Sequence, residues 1–230
     1  MNLFERISPL IFQTLIWIPT RIILLSFGYF KVKGLENLKN VSTSHGVIFA
    51  SNHASGLDPI LLPAGLPFFS RFMPMFYTSR ERTFYHTNKW WEDILYSTKW
   101  FRAWGAHQVY VGQNDFDIAL QKHIKILKEG KSVLIFPEGG TTKDGVIRPF
   151  KSGVIHLSLR TGAPIIPVVM KDTFRISFKQ FFKRRHKLTL IFGKPIYPDH
   201  FVNSKDKVTI AEYKNDSFLL ENKIKELMNL

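Results

Sequence analysis

The feature that most constrains this chain is the alternation of short apolar runs with helical patterns. Runs at 47–50, 72–77, 108–111, 133–136, 165–169 and 188–192 have strand length and are bounded by turn residues. Between them lie segments with apolar residues at helical spacing. The clearest spans 116–129, where Leu120, Ile124 and Leu127 share a face, Asn114 or Asp115 caps the start and Gly130 ends it. A second runs from 153 to 161 and stops at Gly162, and a last one, 216–228, sets Leu220, Ile224 and Leu227 on one stripe. Strands alternating with helices of this length predict an α/β fold, a mixed central sheet covered by helices. At 230 residues one such domain buries a full core without metals or disulfides, and no repeat or low-complexity linker asks for a second.

Charge narrows the partners. Lys and Arg number 32 against 18 Asp and Glu, a formal net charge of +14, yet 45% of residues are apolar and 14% aromatic. Disordered basic tails lack that apolar content, so the chain folds and its surface is positive. Such a surface attracts nucleic acid, anionic lipid headgroups, an acidic carrier protein or a phosphorylated small molecule. There is no cysteine, which excludes disulfides, thiolate metal sites and a thiol nucleophile.

The most apolar segment, 7–30, is interrupted by Pro9, Pro19 and Arg21. Its blocks 10–18 and 22–30 are each too short to cross a bilayer alone, and Pro19 breaks helix between them. Residues 1–32 are therefore expected to form two short helices in one leaflet, with Arg21 snorkelling to headgroups, ahead of a domain at 33–230; one tilted span is the competing arrangement. Residues 68–104 interleave Trp90, Trp91, Trp100, Trp104 and further aromatics with Arg71, Arg80, Arg82, Lys89, Lys99 and Arg102, a mixture suited to the headgroup layer. In 171–187, Phe174, Ile176 and Phe178 alternate with Arg175, Ser177 and Lys179, predicting a half-buried strand with a cationic outer face. Together these segments favour an anionic membrane surface over nucleic acid, for which no recognition motif is present.

Two constellations carry chemistry. Directly after the first run comes Ser51-Asn52-His53-Ala54-Ser55-Gly56-Leu57-Asp58-Pro59. Reactive groups in open α/β sheets collect beyond the carboxyl ends of strands. On a helix, His53 and Asp58 would stand about 140° apart, so they meet only where the segment turns, which Gly56 permits. Asp58 would then hold one imidazole nitrogen and leave the other as a base for a substrate hydroxyl. The second constellation, Pro137-Glu138-Gly139-Gly140-Thr141-Thr142-Lys143-Asp144-Gly145, follows the run 133–136. Its glycines let backbone N–H groups approach a ligand, Glu138 can accept hydrogen bonds from ligand hydroxyls, and Lys143, Arg148 and Lys151 supply cations. A metal-dependent hydrolase using His53, Asp58, His45 or His107 lacks an HExxH-like spacing.

In this order, the Asn-His-x4-Asp segment and the Phe-Pro-Glu-Gly segment resemble the glycerolipid (lysophospholipid) acyltransferase family. The segment from Trp104 to Gly112 sits where the family's middle motif lies, Lys151-Ser152-Gly153 follows the Glu-Gly loop, and Gly162-Ala163-Pro164-Ile165-Ile166-Pro167-Val168 looks like its closing motif. The resemblance implies an O-acyltransferase of phospholipid biosynthesis, membrane-associated at the cytoplasmic face, with His53 as general base and Asp58 its orienting partner. It implies that Glu138 and Gly139 help bind and position the acceptor; Asn52, Gly140, Thr141, Lys143, Arg148 and Lys151 are further candidates for contact with it. The donor would be acyl-coenzyme A or acyl carrier protein, with no further cofactor and no metal, and the favoured acceptor a lysophosphatidic-acid type. Two departures stand out. An arginine common in the middle motif is Val111 here, and the loop that commonly continues Thr-Arg-Ser reads Gly140-Thr141-Thr142. Either Arg80, Arg82, Lys143, Arg148 or Lys151 substitutes, or the acceptor is an aminolipid or glycolipid; a basic nucleic-acid- or lipid-binding protein without catalysis is the remaining alternative.

Overall fold

The computed structural model describes residues 3–79, 98–110, 112, 115–176, 186–201 and 209–230. The chain opens with helix α1 (Leu3–Phe27) and strand β1 (Gly28–Lys33). There follow β2 (Val47–Ser51), α2 (Asp58–Gly65), β3 (Met75–Ser79), α3 (Thr98–Ala103), β4 (Ala106–Gln108), α4 (Phe116–Ala119) and α5 (Gln121–Lys128). Then come β5 (Ser132–Ile135), α6 (Gly153–Thr161), β6 (Ile165–Lys171), β7 (His186–Phe192) and α7 (Ile210–Met228). The sheet runs β1-β7-β6-β2-β5-β3-β4, with every described pairing parallel except β6 with β7, so it is mixed as expected.

Helices cover both faces, which is why the central strands are nearly continuous apolar runs. On one face Phe49, Leu134, Ile166, Val168 and Leu190 pack under Leu24 of α1 and Leu61 and Leu62 of α2. On the other, Ile48, Val133, Ile165 and Val169 meet Ile126 and Leu127 of α5, Ile155 and Leu157 of α6, and Leu220 and Ile224 of α7. Asp115 caps α4 by accepting from the Asp117 and Ile118 N–H groups, and a left-handed Gly162 ends α6. The helical pattern 116–129 divides at Leu120, whose ψ of 12° interrupts the helix. Helix α7 begins at Ile210 rather than 216, because Thr209 and Glu212 form a capping box.

The N-terminus departs from the sequence expectation. α1 is one helix of 25 residues that contains both Pro9 and Pro19. Each proline removes an internal hydrogen bond, but the helix is fastened from outside. The Gln13 amide donates to the Met75 and Trp104 carbonyls and accepts from the Met75 N–H, while Trp17 Nε1 donates to the Leu66 carbonyl. Arg21 does not snorkel. Its guanidinium donates to the Ala64 carbonyl in the last turn of α2 at 2.6 Å and lies over the rings of Trp17 and Phe30. The end of the apolar segment is strand β1, whose Phe30 and Val32 pack inward between Lys31 and Lys33.

Two further expectations change. Residues 172–176 form a turn and bend rather than a strand, because Asp172 and Arg175 hold left-handed φ values of 64° and 55°. The strand predicted at 72–77 begins at Met75, after Pro74, and the one predicted from 108 ends at Gln108. Arg80, Arg82, Trp90, Trp91, Val111, Asn114 and residues 177–185 lie outside the described residues.

Candidate active site

Strand register brings the two motifs together. β2 and β5 are adjacent and parallel, with Ala50 opposite Ile135. Counting three residues beyond each member of that pair reaches His53 and Glu138. The His53 N–H donates to Glu138 Oε1 at 2.7 Å, and the Arg148 N–H donates to Oε2 at 2.9 Å. The Thr142 N–H returns to the His53 carbonyl at 2.9 Å, so the two loops are laced in both directions.

Within the first loop the chain turns at Ser55, whose carbonyl accepts from the Asp58 N–H, and Asp58 then opens α2. This places Asp58 Oδ2 2.9 Å from His53 Nδ1, with the Ala54 and Ser55 N–H groups donating to the same oxygen at 2.7 and 2.8 Å. The Asp58 side chain is 0% exposed. Because a carboxylate oxygen only accepts, Nδ1 carries the imidazole proton and Nε2 presents a lone pair. The ring lies flat on Phe136, with centroids 4.0 Å apart and planes 17° from parallel. The imidazole is therefore fixed in orientation by one carboxylate and one ring face. Gly56 lies inside this turn, as expected, but the turn does not depend on glycine there. The residue has no positive φ, and a side chain there would project into open space within the cavity described below.

Several predicted contact residues hold the loops together. Asn52 is buried, with its amide donating to the Met170 carbonyl at 3.0 Å and accepting from the Met170 N–H at 2.8 Å, which ties the end of β2 to β6. Each carboxylate oxygen of Glu138 accepts from one backbone N–H, so Glu138 clamps the two loops together and keeps further lone pairs for other donors. Burial raises the Glu138 pKa above the ordinary carboxylate range, against the opposing effect of the Arg148 and His53 N–H groups. Gly139 adopts φ 73° and donates its N–H to the Phe136 carbonyl, and a Cβ there would sit 2.7 Å from Lys151 Nζ. Lys151 thus crosses directly over Gly139. The N–H groups of Gly140 and Thr141 carry no hydrogen bond among the described residues. Lys143, Arg148 and Lys151 are exposed around this loop, as is Thr141, which faces the cavity beside His53.

That cavity, about 580 Å³, was not anticipated from the sequence. It runs from His53, Phe136 and Thr141 between Pro59, Ile60 and Pro63 of α2, Ile16, Trp17 and Thr20 of α1, and Trp100, Phe101 and Trp104 of α3. Trp100 and Trp104, expected in a headgroup layer, pack with tilted rings against Phe12 of α1, centroids 5.6 Å away. The signal was the spacing of Ile16, Trp17 and Thr20, one helical face on α1. Tyr77, on the cavity wall, is buried, and burial raises its pKa further into the alkaline range. Among the described residues no three His, Asp or Glu side chains stand together as a metal site. An oriented base at the end of an apolar cavity, beside free N–H groups and surface cations, can activate a hydroxyl next to a bound hydrocarbon chain.

Residues 30–171 match the family model described as Acyltransferase. A 1-acyl-sn-glycerol-3-phosphate acyltransferase of Bacillus subtilis is 30% identical over 210 residues, covering 91% of this chain and 93% of its own. The enzyme of that name from Limnanthes douglasii is 26% identical over 184 residues, covering 76% of this chain and 57% of its own. In fold, the chain is similar to the crystal structure of the 1-acyl-sn-glycerophosphate (LPA) acyltransferase PlsC from Thermotoga maritima. The TM-score is 0.60 at 21% identity, over 90% of this chain and 76% of that one. The chain belongs to the acyltransferase family.

Proposed function

We propose that this chain moves a fatty acyl group from an acyl-coenzyme A or acyl carrier protein thioester to the free hydroxyl of 1-acyl-sn-glycerol-3-phosphate. The observation that carries this reading is His53, held through Nδ1 by Asp58, with Nε2 free at the head of the apolar cavity. Nε2 takes the hydroxyl proton as the acceptor oxygen attacks the thioester carbonyl. The carbon–sulfur bond then breaks, and the departing thiolate takes the proton from the imidazolium. A base placed in this way contributes about 10²–10⁴ in rate. The unengaged N–H groups of Gly140 and Thr141 are the donors for the oxyanion. The cavity between α1, α2 and α3 receives an acyl chain, and Lys143, Arg148 and Lys151 face the acceptor phosphate or the phosphates of the donor.

The helix α1 is long and apolar enough to cross a membrane by length and composition. Its buried Gln13 and its Arg21 contact to α2 favour a helix lying in one leaflet, at the cytoplasmic face, with the domain against it. A second reading of the acceptor has one observation behind it: Thr141, at the cavity mouth, offers a hydroxyl and no cation. That suits an aminolipid or glycolipid headgroup.

Incubating the protein with labelled acyl-coenzyme A or acyl carrier protein and a panel of lysolipids separates the two. Label in phosphatidate is the expected result. Label only in an aminolipid or glycolipid selects the second reading, and label in no lipid, without release of free thiol, overturns both.

A further inference from the structure

Most of α1 turns its apolar residues outward. Phe4, Ile7, Ile11, Leu15, Ile18, Ile22 and Leu25 are exposed, whereas Glu5, Ser8 and Gln13 are buried against the domain. Beside this stripe, just after α2, the chain makes a tight turn in which the Ser70 N–H donates to the Pro67 carbonyl at 3.0 Å. The two residues at its tip are Phe68 and Phe69. Turn tips ordinarily carry Gly, Asn, Asp or Ser, yet Phe69 is 92% exposed. Phe68 packs edge-on against Trp17 of α1, with centroids 5.0 Å apart, and so fixes the turn to the helix. Between them lies an apolar groove of about 560 Å³, lined by Leu10, Ile11 and Leu15 of α1 and by Phe68, Phe69 and Met73. Gln13 and Trp17 line both this groove and the catalytic cavity.

We infer that the Phe68–Phe69 turn is a second membrane anchor, and that the groove between it and α1 seats an acyl chain of a bilayer lipid. The occupant follows from continuity and charge. Leu10, Ile11 and Leu15 belong both to the outward face of α1 and to the groove, so a leaflet that receives one receives the other. Exposed Arg71 and Lys39 flank the turn, where the Arg71 guanidinium donates to the Lys39 carbonyl at 2.7 Å, and both would meet anionic headgroups. Two anchors at an angle fix the tilt of the domain as well as its depth. They present the wall shared by the groove and the cavity to the lipid. This inference rests on reading α1 as leaflet-bound, and its test separates the two.

The chain has no cysteine, so single labels can be placed without background. Phe69→Cys, Ile11→Cys and, on the far face of the sheet, exposed Ile118→Cys would each carry an environment-sensitive fluorophore. Each is mixed with vesicles of phosphatidylcholine and phosphatidylglycerol, with and without bromine-labelled acyl chains. Blue-shifted, bromine-quenched emission at positions 69 and 11, with position 118 unchanged, is expected. Phe69→Ser should lower vesicle partitioning about tenfold while leaving turnover of a short-chain, water-soluble acceptor unchanged. Insertion at position 11 with position 69 still in water overturns the second anchor alone; failure at both also removes the membrane reading of α1. A blue shift at 69 without vesicles, accompanied by a dimer on gel filtration, would assign the face to a second copy and overturn the proposal. Because insertion needs no turnover, these results stand apart from the acyl-transfer assay.

Discussion

The catalytic corner and the outer face of α1 are solvated in opposite ways. At the corner, carboxylates are buried and bound by donors inside the protein: Asp58 Oδ2 accepts from three donors and each oxygen of Glu138 from one backbone N–H, while Asp58 Oδ1 is buried without a partner. On α1, a stripe of apolar side chains stands outside while Glu5, Ser8 and Gln13 are enclosed. A soluble helix puts its apolar stripe against the core. The first region therefore carries its complement with it, and the second has its complement elsewhere. Substitutions at the corner should damage the protein in water; substitutions on the stripe should register only when lipid is present.

The largest effect tests the corner. Asp58→Asn retains an oxygen for the two backbone donors but removes the charge that stabilises the imidazolium. We expect acyl transfer to fall about 10²–10⁴-fold with the folded state retained, measured by thiol release and circular dichroism. The stripe should give the reverse pattern. Leu15→Ser combined with Ile18→Ser should weaken vesicle binding roughly a hundredfold and leave the melting temperature in detergent-free buffer the same or higher. A melting point lowered by several degrees would place that stripe in a core and break the contrast.

A smaller effect is expected at Glu138→Gln. The amide supplies one acceptor where the carboxylate supplies two, so the His53 or the Arg148 N–H loses its partner, at a cost of about 1–3 kcal/mol in stability. Denaturant unfolding measures that loss, and activity should fall as the two loops come apart.

A further effect appears only under acid. His123 is wholly buried, with Nε2 donating to the Tyr77 carbonyl and Nδ1 unpartnered; His107 lies beside it, with Nε2 unpartnered. Burial lowers both pKa values from 6.5 to about 4. Between those values the unfolded chain binds more protons than the folded one, so stability rises with pH through this window and is fully present near pH 7. Lowering the pH from 7 to 4.5 should therefore cost a few kcal/mol, on the order of 1–3 per histidine. Thermal melts across that range check the slope, and His123→Leu should flatten it.

The sheet and the meeting of His53 with Asp58 were legible because both depend on local pattern. Alternation of strand and helix, Asp115 as a cap and Gly162 as a stop are properties of a few neighbouring residues. What stayed hidden depends on contacts distant in sequence. Two prolines made α1 read as broken, and the Gln13 and Arg21 contacts that hold it come from β3 and α2. Asn52 and Glu138 have the chemistry to meet a ligand, but their partners are the backbone of Met170, His53 and Arg148. Strand β1 could have been found from the period-two pattern of Phe30 and Val32 against Lys31 and Lys33, had the apolar run not been read as helix to its end.

His53, oriented by Asp58, is the proposed base for acyl transfer at the apolar cavity. The most direct measurement is single-turnover release of thiol from acyl-coenzyme A or acyl carrier protein with 1-acyl-sn-glycerol-3-phosphate, for the natural chain and for His53→Ala, with thermal unfolding recorded on the same samples. A burst of thiol matched by ester is expected in the natural chain and a fall of at least about 10² in His53→Ala, with both proteins folded. Ester formed by folded His53→Ala at the natural rate would contradict that role.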